Sequence, residues 1–378
     1  GDATGNKVNV SGGNVTNVTG SVSTGGAASN NEITLKGGVT VGSVLGGQGT
    51  TTENNKVNLE GATVNGSVKG GSAVGAGHEL TVKRANTVGS LVGFGKLTFD
   101  VGTAATDPML TLTGSASAFD WQTLEAIGTT AGPVTLMENG AGISFSNYDG
   151  AKSKINSADT TEFNIDTENR TASDNKVIAQ SYQYRGQTNA VTSIGTDVYG
   201  GISRVANATR ENNITVSSGS YTNAYGGYTD VPLSGTDAKA LSAEKNDSHD
   251  NSVTIDGATI GTVYGGYATS PTGKATKNTV NITSGTVTNV VGGYSTGDAK
   301  ENTVNVKSNV SGDVTGSMST SGAASANVVS LDNITVGGNV TGGSGATTED
   351  NIIHLNKTTV TGNITGGTAA SGTGNTLV

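Results

Sequence analysis

Tyrosine is the residue type whose spacing most suggests binding chemistry in this chain. Six tyrosines flank Gly-Gly pairs in successive repeats, which predicts two stacked columns, one of Tyr228, Tyr267 and Tyr294 after the pair and one of Tyr199, Tyr225 and Tyr264 before it. Aromatic rings offer large contact area at low entropic cost, so an exposed strip could hold sugar rings or a protein partner. A stack that only stabilises turns is the alternative. The predicted ligand-binding residues are Tyr228, Tyr264, Tyr267 and Tyr294.

Other chemically capable residues form no convincing site. Gly293 to Gly297 matches Gly-x-Ser-x-Gly, but a nucleophile elbow needs a strand-to-helix turn, whereas this segment lies in a repeat turn. The three histidines, at 78, 249 and 354, are too dispersed for a metal site, and acidic turn residues could bind calcium only weakly. We therefore expect no catalytic residues, no metal and no cofactor, and we expect that the protein is not an enzyme.

Composition narrows the class of protein. Of 378 residues, 59 are glycine, five phenylalanine, one tryptophan and none cysteine, and only 33% are hydrophobic, which is too little for one thick globular core. The net charge of -9 is the opposite of the basic surface that nucleic-acid-binding proteins need, so we expect no nucleic-acid partner. No stretch approaches the ~18 to 20 apolar residues of a membrane helix, so we expect no membrane insertion by this fragment.

An internal repeat dominates the sequence. The pattern Asn-x-aliphatic-x-aliphatic, with histidine once replacing asparagine, begins at Asn6, Asn31, Asn55, His78, Asn212, Asn251, Asn278, Asn302, Asn327, Asn351 and Asn375. Most intervals are 23 to 27 residues, and the alternation within each unit is typical of a strand with one buried face. A second short strand ending in Gly-Gly follows, and turns such as residues 24–29 are expected to use glycine for positive φ.

A single unit cannot fold by itself. Its four or five aliphatic side chains contribute roughly 6 to 15 kcal/mol, whereas ordering about 24 residues costs about 24 to 48 kcal/mol. The units must therefore stack as coils with a shared core, about 4.8 Å apart. Stacking places the asparagines in a column, where their amides are expected to bond along the axis. The sequence thus predicts an all-β solenoid of parallel coils.

A longer repeat is superimposed on the coils. Residues 1–59 align without a gap to residues 297–355, with 29 identities in 59 positions and a constant offset of 296. This similarity exceeds that between neighbouring coils, which indicates duplication of a block. The start also lacks a signal peptide. We therefore expect an excised piece of a larger protein.

Three segments follow from the pattern. Regular coils are expected over residues 1–95 and 191–378, the latter with an extruded loop near 229–250. Residues 96–190 lack the asparagine pattern and hold larger side chains, which predicts wider, irregular coils, a short helical turn near residues 119–127, and a hairpin or flap at residues 152–183. The flap is expected to leave the stack, with a separate small domain as the alternative.

The units at residues 261–268 and 278–295, Gly-Thr-Val-Tyr-Gly-Gly-Tyr-Ala and Asn-Thr-Val-Asn-Ile-Thr-Ser-Gly-Thr-Val-Thr-Asn-Val-Val-Gly-Gly-Tyr-Ser, resemble passenger domains of large bacterial autotransporter adhesins. Pro108 to Gly114 and Pro133 to Met137 look like segments interleaved with such repeats. The resemblance covers nearly all of the chain. It implies a right-handed parallel β-helix exported through the outer membrane by a C-terminal barrel absent from this fragment.

The resemblance sets the functional expectation. It implies a monomeric, non-enzymatic adhesin fragment at the bacterial surface or secreted, with a host-cell or bacterial surface glycan or protein as partner. Fold does not settle activity, so two alternatives stay open. One is a secreted β-helical polysaccharide-degrading enzyme, and the other is a passive structural stalk.

Overall fold

The structure is a computed structural model that describes residues 1–72, 77–102, 106–130, 132–189, 191–204, 207–230 and 246–378. It divides into two compact units. The first consists of Gly1–Ser153 and Phe163–Ser181, and the second of Lys154–Glu162 and Tyr182–Val378. None of the described segments is a helix long and apolar enough to span a lipid bilayer.

Strands dominate the described residues. The first nineteen are β1 (Lys7–Ser11), β2 (Asn14–Thr19), β3 (Glu32–Lys36), β4 (Thr40–Leu45), β5 (Lys56–Glu60), β6 (Thr63–Lys69), β7 (Glu79–Lys83), β8 (Asn86–Val92), β9 (Lys96–Asp100), β10 (Leu110–Leu112), β11 (Ser117–Asp120), β12 (Leu124–Ile127), β13 (Val134–Ser146), β14 (Lys152–Ile155), β15 (Thr161–Thr167), β16 (Ser173–Gln183), β17 (Thr192–Ile194), β18 (Asp197–Ser203) and β19 (Thr209–Arg210). The others are β20 (Asn213–Val216), β21 (Ser220–Thr229), β22 (Ser248–His249), β23 (Ser252–Ala268), β24 (Ala275–Thr276), β25 (Thr279–Ser295), β26 (Ala299–Lys300), β27 (Thr303–Val306), β28 (Val314–Ser319), β29 (Ala323–Ser325), β30 (Val328–Asp332), β31 (Thr335–Val336), β32 (Val340–Thr341), β33 (Thr347–Glu349), β34 (Ile352–Asn356), β35 (Thr359–Val360), β36 (Ile364–Thr365), β37 (Ser371–Thr373) and β38 (Thr376–Leu377).

Each unit is a β-solenoid, because strands one coil apart pair in parallel and in register. In the first unit β1, β3, β5, β7, β9 and β12 follow one another in one sheet, and Ile33 pairs with Val8 on one side and Val57 on the other. In the second unit β23, β25, β27, β30, β34 and β38 do the same, with Val280 between Val253 and Val304. The predicted stack of parallel coils is confirmed.

The alternating aliphatic residues form the core inside each stack. Ile33, Val57 and Leu80 are fully buried in the first unit, as are Val253 and Val280 in the second. Their neighbours along each strand face outward, since successive side chains in a strand point to opposite faces. In the regular coils a thin column of β-branched and leucine side chains therefore serves as the core, and no thick globular interior is needed.

The asparagine column is a continuous hydrogen-bonded ladder in both units. The Nδ2 of Asn278 donates to Oδ1 of Asn302 at 3.1 Å, and Asn302 donates in the same way to Asn327 at 3.2 Å. The same oxygens accept the backbone N–H of the preceding asparagine. These side chains are buried, so each bond satisfies a group that would otherwise be costly to desolvate. The predicted ladder is confirmed, and Gln187 extends it by one coil through its backbone N–H to Asn212.

The residue before each of these positions has left-handed backbone geometry. Its φ is positive at all eleven repeat starts, whether the residue is glycine, as at Gly5, or not, as at Glu301 and Ala326. A non-glycine residue in this region costs roughly 1 to 2 kcal/mol. Eight of the eleven positions carry that cost, since the other three are glycine, and in each coil the bend delivers the asparagine or histidine to the ladder.

The predicted role of glycine in the turn at residues 24–29 is wrong. Neither Gly25 nor Gly26 has positive φ. Instead, a Cβ on Gly26 would lie 2.4 Å from Oδ1 of Asp2 in the preceding coil. The Gly-Gly pairs have a similar reason, since a Cβ on Gly266 would lie 2.2 Å from Nδ2 of Asn278. Glycine is needed there for close approach between coils rather than for an unusual φ.

The segment around Trp121 carries the large side chains that the sequence places outside the regular repeat. Trp121 is fully buried in the core of the first unit with Phe99 and Phe145, and its ring centroid lies 4.9 Å from that of Phe145. The predicted helical turn is shorter than expected, a single 3-10 turn at Trp121–Thr123 capped by Asp120. The remainder of residues 119–127 belongs to β11 and β12.

The expectation that residues 152–183 leave the stack is also wrong for its last strand. In the first unit β16 pairs antiparallel with β13, so that Val177 lies opposite Met137. Val177 is fully buried. An antiparallel partner lets the chain reverse and still share backbone hydrogen bonds with the parallel coils. The division into segments at residues 95 and 190 stays a prediction.

Candidate functional site: a two-column tyrosine layer

Strand register places six tyrosines in two columns on the second unit. Tyr225 pairs with Tyr199 in the preceding coil and with Tyr264 in the next. Tyr267 pairs with Tyr228 and Tyr294 in the same way. We call the columns Tyr199–Tyr225–Tyr264 and Tyr228–Tyr267–Tyr294 together the tyrosine layer. The two columns predicted from the Gly-Gly spacing are present, although ligand binding by Tyr228, Tyr264, Tyr267 and Tyr294 stays a prediction.

Rings within a column are stacked, and rings in different columns meet edge to face. The centroids of Tyr228 and Tyr267 are 5.1 Å apart at an interplanar angle of 4°, and those of Tyr267 and Tyr294 are 4.8 Å apart at 12°. Across the columns, Tyr225 and Tyr228 lie 4.9 Å apart at 73°. Both arrangements are favoured by the aromatic quadrupole and contribute beyond simple burial. The layer is thus a herringbone of mutually supporting rings.

The layer lies on the outer face of the sheet, outside the aliphatic core. Ala224 and Val263 point into the core of the second unit, and the residues that follow them, Tyr225 and Tyr264, face the other way. Tyr225 is only 6% exposed because neighbouring rings cover it, whereas Tyr264 and the second column are half-buried. The layer therefore orders aromatic side chains at a surface.

Burial raises the pKa of five phenols of the layer. It raises the pKa of Tyr199 and of Tyr267 to about 12 in each case, and the nearby carboxylates of Asp197 and Asp230, respectively, act in the same direction. Burial raises the pKa of Tyr225, Tyr228 and Tyr264 as well. At neutral pH the layer offers hydroxyl groups that can both donate and accept hydrogen bonds.

Polar residues border the layer where its first coil begins. Asp197 Oδ1 accepts hydrogen bonds from the backbone and side-chain nitrogens of Asn223, both at 3.0 Å, and its Oδ2 lies 3.4 Å from the Tyr199 hydroxyl. The Arg204 guanidinium lies 5.6 Å from the centroid of the Tyr182 ring, which packs against the layer. This margin combines a carboxylate and a cation with aromatic surface.

Sequence reasoning missed some residues that pack with the tyrosine layer. Ile202 occupies the column of Tyr228, one coil earlier, and follows Gly200 and Gly201, so the Gly-Gly rule could have found it. Tyr182 lies outside the repeat and had no such signal. Tyr221, close to the cluster in sequence, packs instead against the aliphatic core of the second unit.

Other candidate residues have structural surroundings. Ser295 of the Gly-x-Ser-x-Gly segment is fully buried and donates to the Gly297 carbonyl oxygen at 2.8 Å. His78 takes an asparagine position as predicted, accepting from the Asn55 backbone N–H at its Nδ1, and burial lowers its pKa. His354 is exposed. In the described part of the chain, no group of three or more His, Cys, Asp or Glu side chains could hold a metal ion.

The expected loop near residues 229–250 is described only at its two ends. Residues 231–245 lie outside the described residues. The ends meet where the Thr229 hydroxyl donates to the Asp247 carbonyl oxygen at 2.9 Å. Thr229 directly follows Tyr228, so this hydrogen bond lies next to the tyrosine layer.

Comparison with known proteins leaves the family open. No protein-family model matches the chain, and neither a curated protein nor a solved structure matches it.

Proposed function

We propose that this chain is part of a bacterial surface adhesin, without enzymatic activity, whose tyrosine layer contacts a glycan or protein on a host or bacterial cell. The coiled β-solenoid is compatible with an adhesin or a stalk. The similarity of the repeat units to autotransporter passenger domains supports export to the cell surface.

One observation carries the proposal: the columns end while the coils continue. The column of Tyr264 goes on as Val291 and Thr315, and that of Tyr294 goes on as Met318 and Ser344, all in parallel register. Coil formation therefore does not require tyrosine at these positions. Four of the six rings, those of Tyr228, Tyr264, Tyr267 and Tyr294, are half-exposed, which favours a role in contact with a partner.

The geometry also indicates what a partner could reach. The middle ring of the second column, Tyr267, is stacked between Tyr228 and Tyr294, so both of its faces are covered. Ring edges and hydroxyl groups are left for a ligand. Because the rings are ordered before binding, little side-chain entropy remains to be lost, which favours affinity.

The test is binding by the wild type and by the triple variant Tyr228→Ala, Tyr267→Ala, Tyr294→Ala on arrays of glycans and surface proteins. We expect the triple variant to bind at least about tenfold more weakly, since clustered aromatic contacts commonly cost 1 kcal/mol or more when truncated. Tyr221→Ala is the matched control, because it removes a tyrosine from the same coils but not from the layer. Circular dichroism verifies that each variant keeps its strands.

Three outcomes would contradict the proposal. Equal binding by wild type and triple variant would place the contact surface elsewhere. No binding to any glycan, protein or cell would favour the stalk. Cleavage of acidic polysaccharides, detected as new reducing or unsaturated ends, would instead support the secreted enzyme.

A further inference from the structure

We propose that the tyrosine layer is a site of oxidative cross-linking, at which one-electron oxidation joins tyrosines of adjacent coils as dityrosine. This inference is independent of whether the layer binds a partner. It rests on the packing of the rings, on their exposure and on the contrast with tyrosines elsewhere in the chain.

Packing gives every tyrosyl radical of the layer a partner ring. Tyr267 contacts Tyr225, Tyr228, Tyr264 and Tyr294 at centroid distances of 4.8 to 5.3 Å. Tyr225 has four tyrosine neighbours within 5.3 Å. A radical formed on one ring therefore lies beside the ring it must couple to, and coupling requires the two side chains to rotate until their ortho carbons meet.

Exposure makes oxidation feasible. Tyr228, Tyr264, Tyr267 and Tyr294 are half-buried rather than sealed in the core. A small oxidant, or an enzyme that draws electrons through an exposed ring edge, can reach them. The buried rings of Tyr199 and Tyr225 then restrict the movement of the half-buried rings, so that a radical stays next to another tyrosine ring.

Tyr148 and Tyr184, which lie outside the layer, lack this arrangement. Tyr148 packs against Trp121 and donates its hydroxyl proton to Asp166 at 2.6 Å. Tyr184 donates to Asp159 at 2.5 Å and is 1% exposed. Among the described ring contacts, neither has a tyrosine neighbour. These two residues serve as internal references for oxidation without a partner.

The reaction balances with a peroxide as oxidant. Two phenols each lose one electron and one proton, and hydrogen peroxide takes up both electrons and both protons to give two molecules of water. The two phenoxyl radicals form one carbon–carbon bond between ortho ring positions. Each ring then regains aromaticity as its ortho hydrogen moves to the phenoxyl oxygen, so no further reductant or oxidant is consumed.

The product would link coils covalently in a chain that has no cysteine for disulfides. A bond from Tyr228 to Tyr267 spans 39 residues, and one from Tyr267 to Tyr294 spans 27. Such links restrict the unfolded chain in the same way as a disulfide of similar loop length. Oxidation is therefore expected to raise the melting temperature.

The experiment treats the protein at low concentration with hydrogen peroxide and a haem peroxidase, and follows dityrosine fluorescence and tryptic peptides by mass spectrometry. The coils fall in separate tryptic peptides, since Tyr225 and Tyr228 lie in 211–239, Tyr264 and Tyr267 in 246–274, and Tyr294 in 278–300. We expect 211–239 linked to 246–274 and 246–274 linked to 278–300, in monomeric protein and independently of protein concentration.

A conservative variant identifies which tyrosine forms the link to peptide 278–300. Tyr267→Phe keeps the ring packing but removes the phenol, and Tyr264 lies 6.3 Å from Tyr294. The link to peptide 278–300 should therefore fall strongly, while the Tyr225–Tyr264 stack maintains the link between 211–239 and 246–274. Links confined to dimers would overturn the proposal. So would a pattern identical to that of the urea-unfolded chain, or equal cross-linking of Tyr148 or Tyr184.

Discussion

The two units treat the same repeat position in different ways. In the first unit, the residue after the ladder asparagine or histidine alternates in charge from coil to coil, as Lys7, Glu32, Lys56 and Glu79, and Lys96 continues the series on β9. Neighbouring members of this series form ion pairs, with Lys7 Nζ 3.2 Å from Glu32 and Lys56 Nζ 3.1 Å from Glu79. In the second unit the same position holds Asn213, Ser252, Thr279, Thr303, Val328, Ile352 and Thr376, all uncharged.

The difference shows which neighbours constrain a residue in a parallel stack. Register places identical repeat positions side by side about 4.8 Å apart, so like charges there would repel. A charged column must alternate in sign, whereas a neutral or aromatic column can repeat. The asparagine ladder and the tyrosine layer repeat, and the column beside the ladder in the first unit alternates.

Removing a side chain from the asparagine ladder, which both units share, should have the largest effect on the free energy of unfolding. Asn31 and Asn327 are equivalent across the 296-residue offset, and both are buried in the ladder. Replacing Asn327 with alanine leaves the buried backbone and side-chain donors of Asn302 unpaired, which we expect to lower the free energy of unfolding by about 3 kcal/mol. Replacing Asn31 leaves the same two donors of Asn6 unpaired, but Asn6 is exposed to water, so we expect a smaller loss of about 1 kcal/mol. Urea unfolding measures the change in each variant.

Asn9→Ala is the control for this pair, because Asn9 is exposed beside the same ladder and should change stability by less than about 0.5 kcal/mol. A loss for Asn31→Ala or Asn327→Ala no larger than that of the control would mean that the ladder does not stabilise the coils.

Charge reversal tests the column of alternating charge, which is present in the first unit but not in the second. Glu32→Lys puts an ammonium between Lys7 and Lys56, and we expect a loss of about 1 kcal/mol at low salt that shrinks at high salt through screening. Val328→Lys makes the equivalent change in the second unit, between Thr303 and Ile352. Urea midpoints at two salt concentrations compare the variants. Equal salt dependence in both would refute the alternation rule.

Acidification should have the smallest and most local effect. The hydrogen bond from Lys7 holds the pKa of Glu32 below its ordinary value of 4.5. Its stabilising contribution is therefore complete above pH 4.5 and is lost as the pH falls through the lower folded value. Hydrogen-exchange protection of β3 should decline over that range more than that of β27, which contains no carboxylate. A larger decline in β27 would contradict this prediction.

The sequence by itself determined whatever depends on the coil period. That period alone identified the stacked strands, the ladder from Asn278 to Asn302, and the columns of Tyr225 and Tyr267, because residues one coil apart must become neighbours in a parallel stack. Only the tertiary structure decided what the period does not encode. Gly26 and Gly266 serve close approach, β16 turns antiparallel, and Tyr225 is sealed while Tyr267 is half-exposed. The roles of the glycines and the exposure of the tyrosines depend on distances between coils, which the sequence does not contain. The pairing of β16 lies where the repeat is interrupted, so the spacing of residues there cannot predict which strand lies beside it.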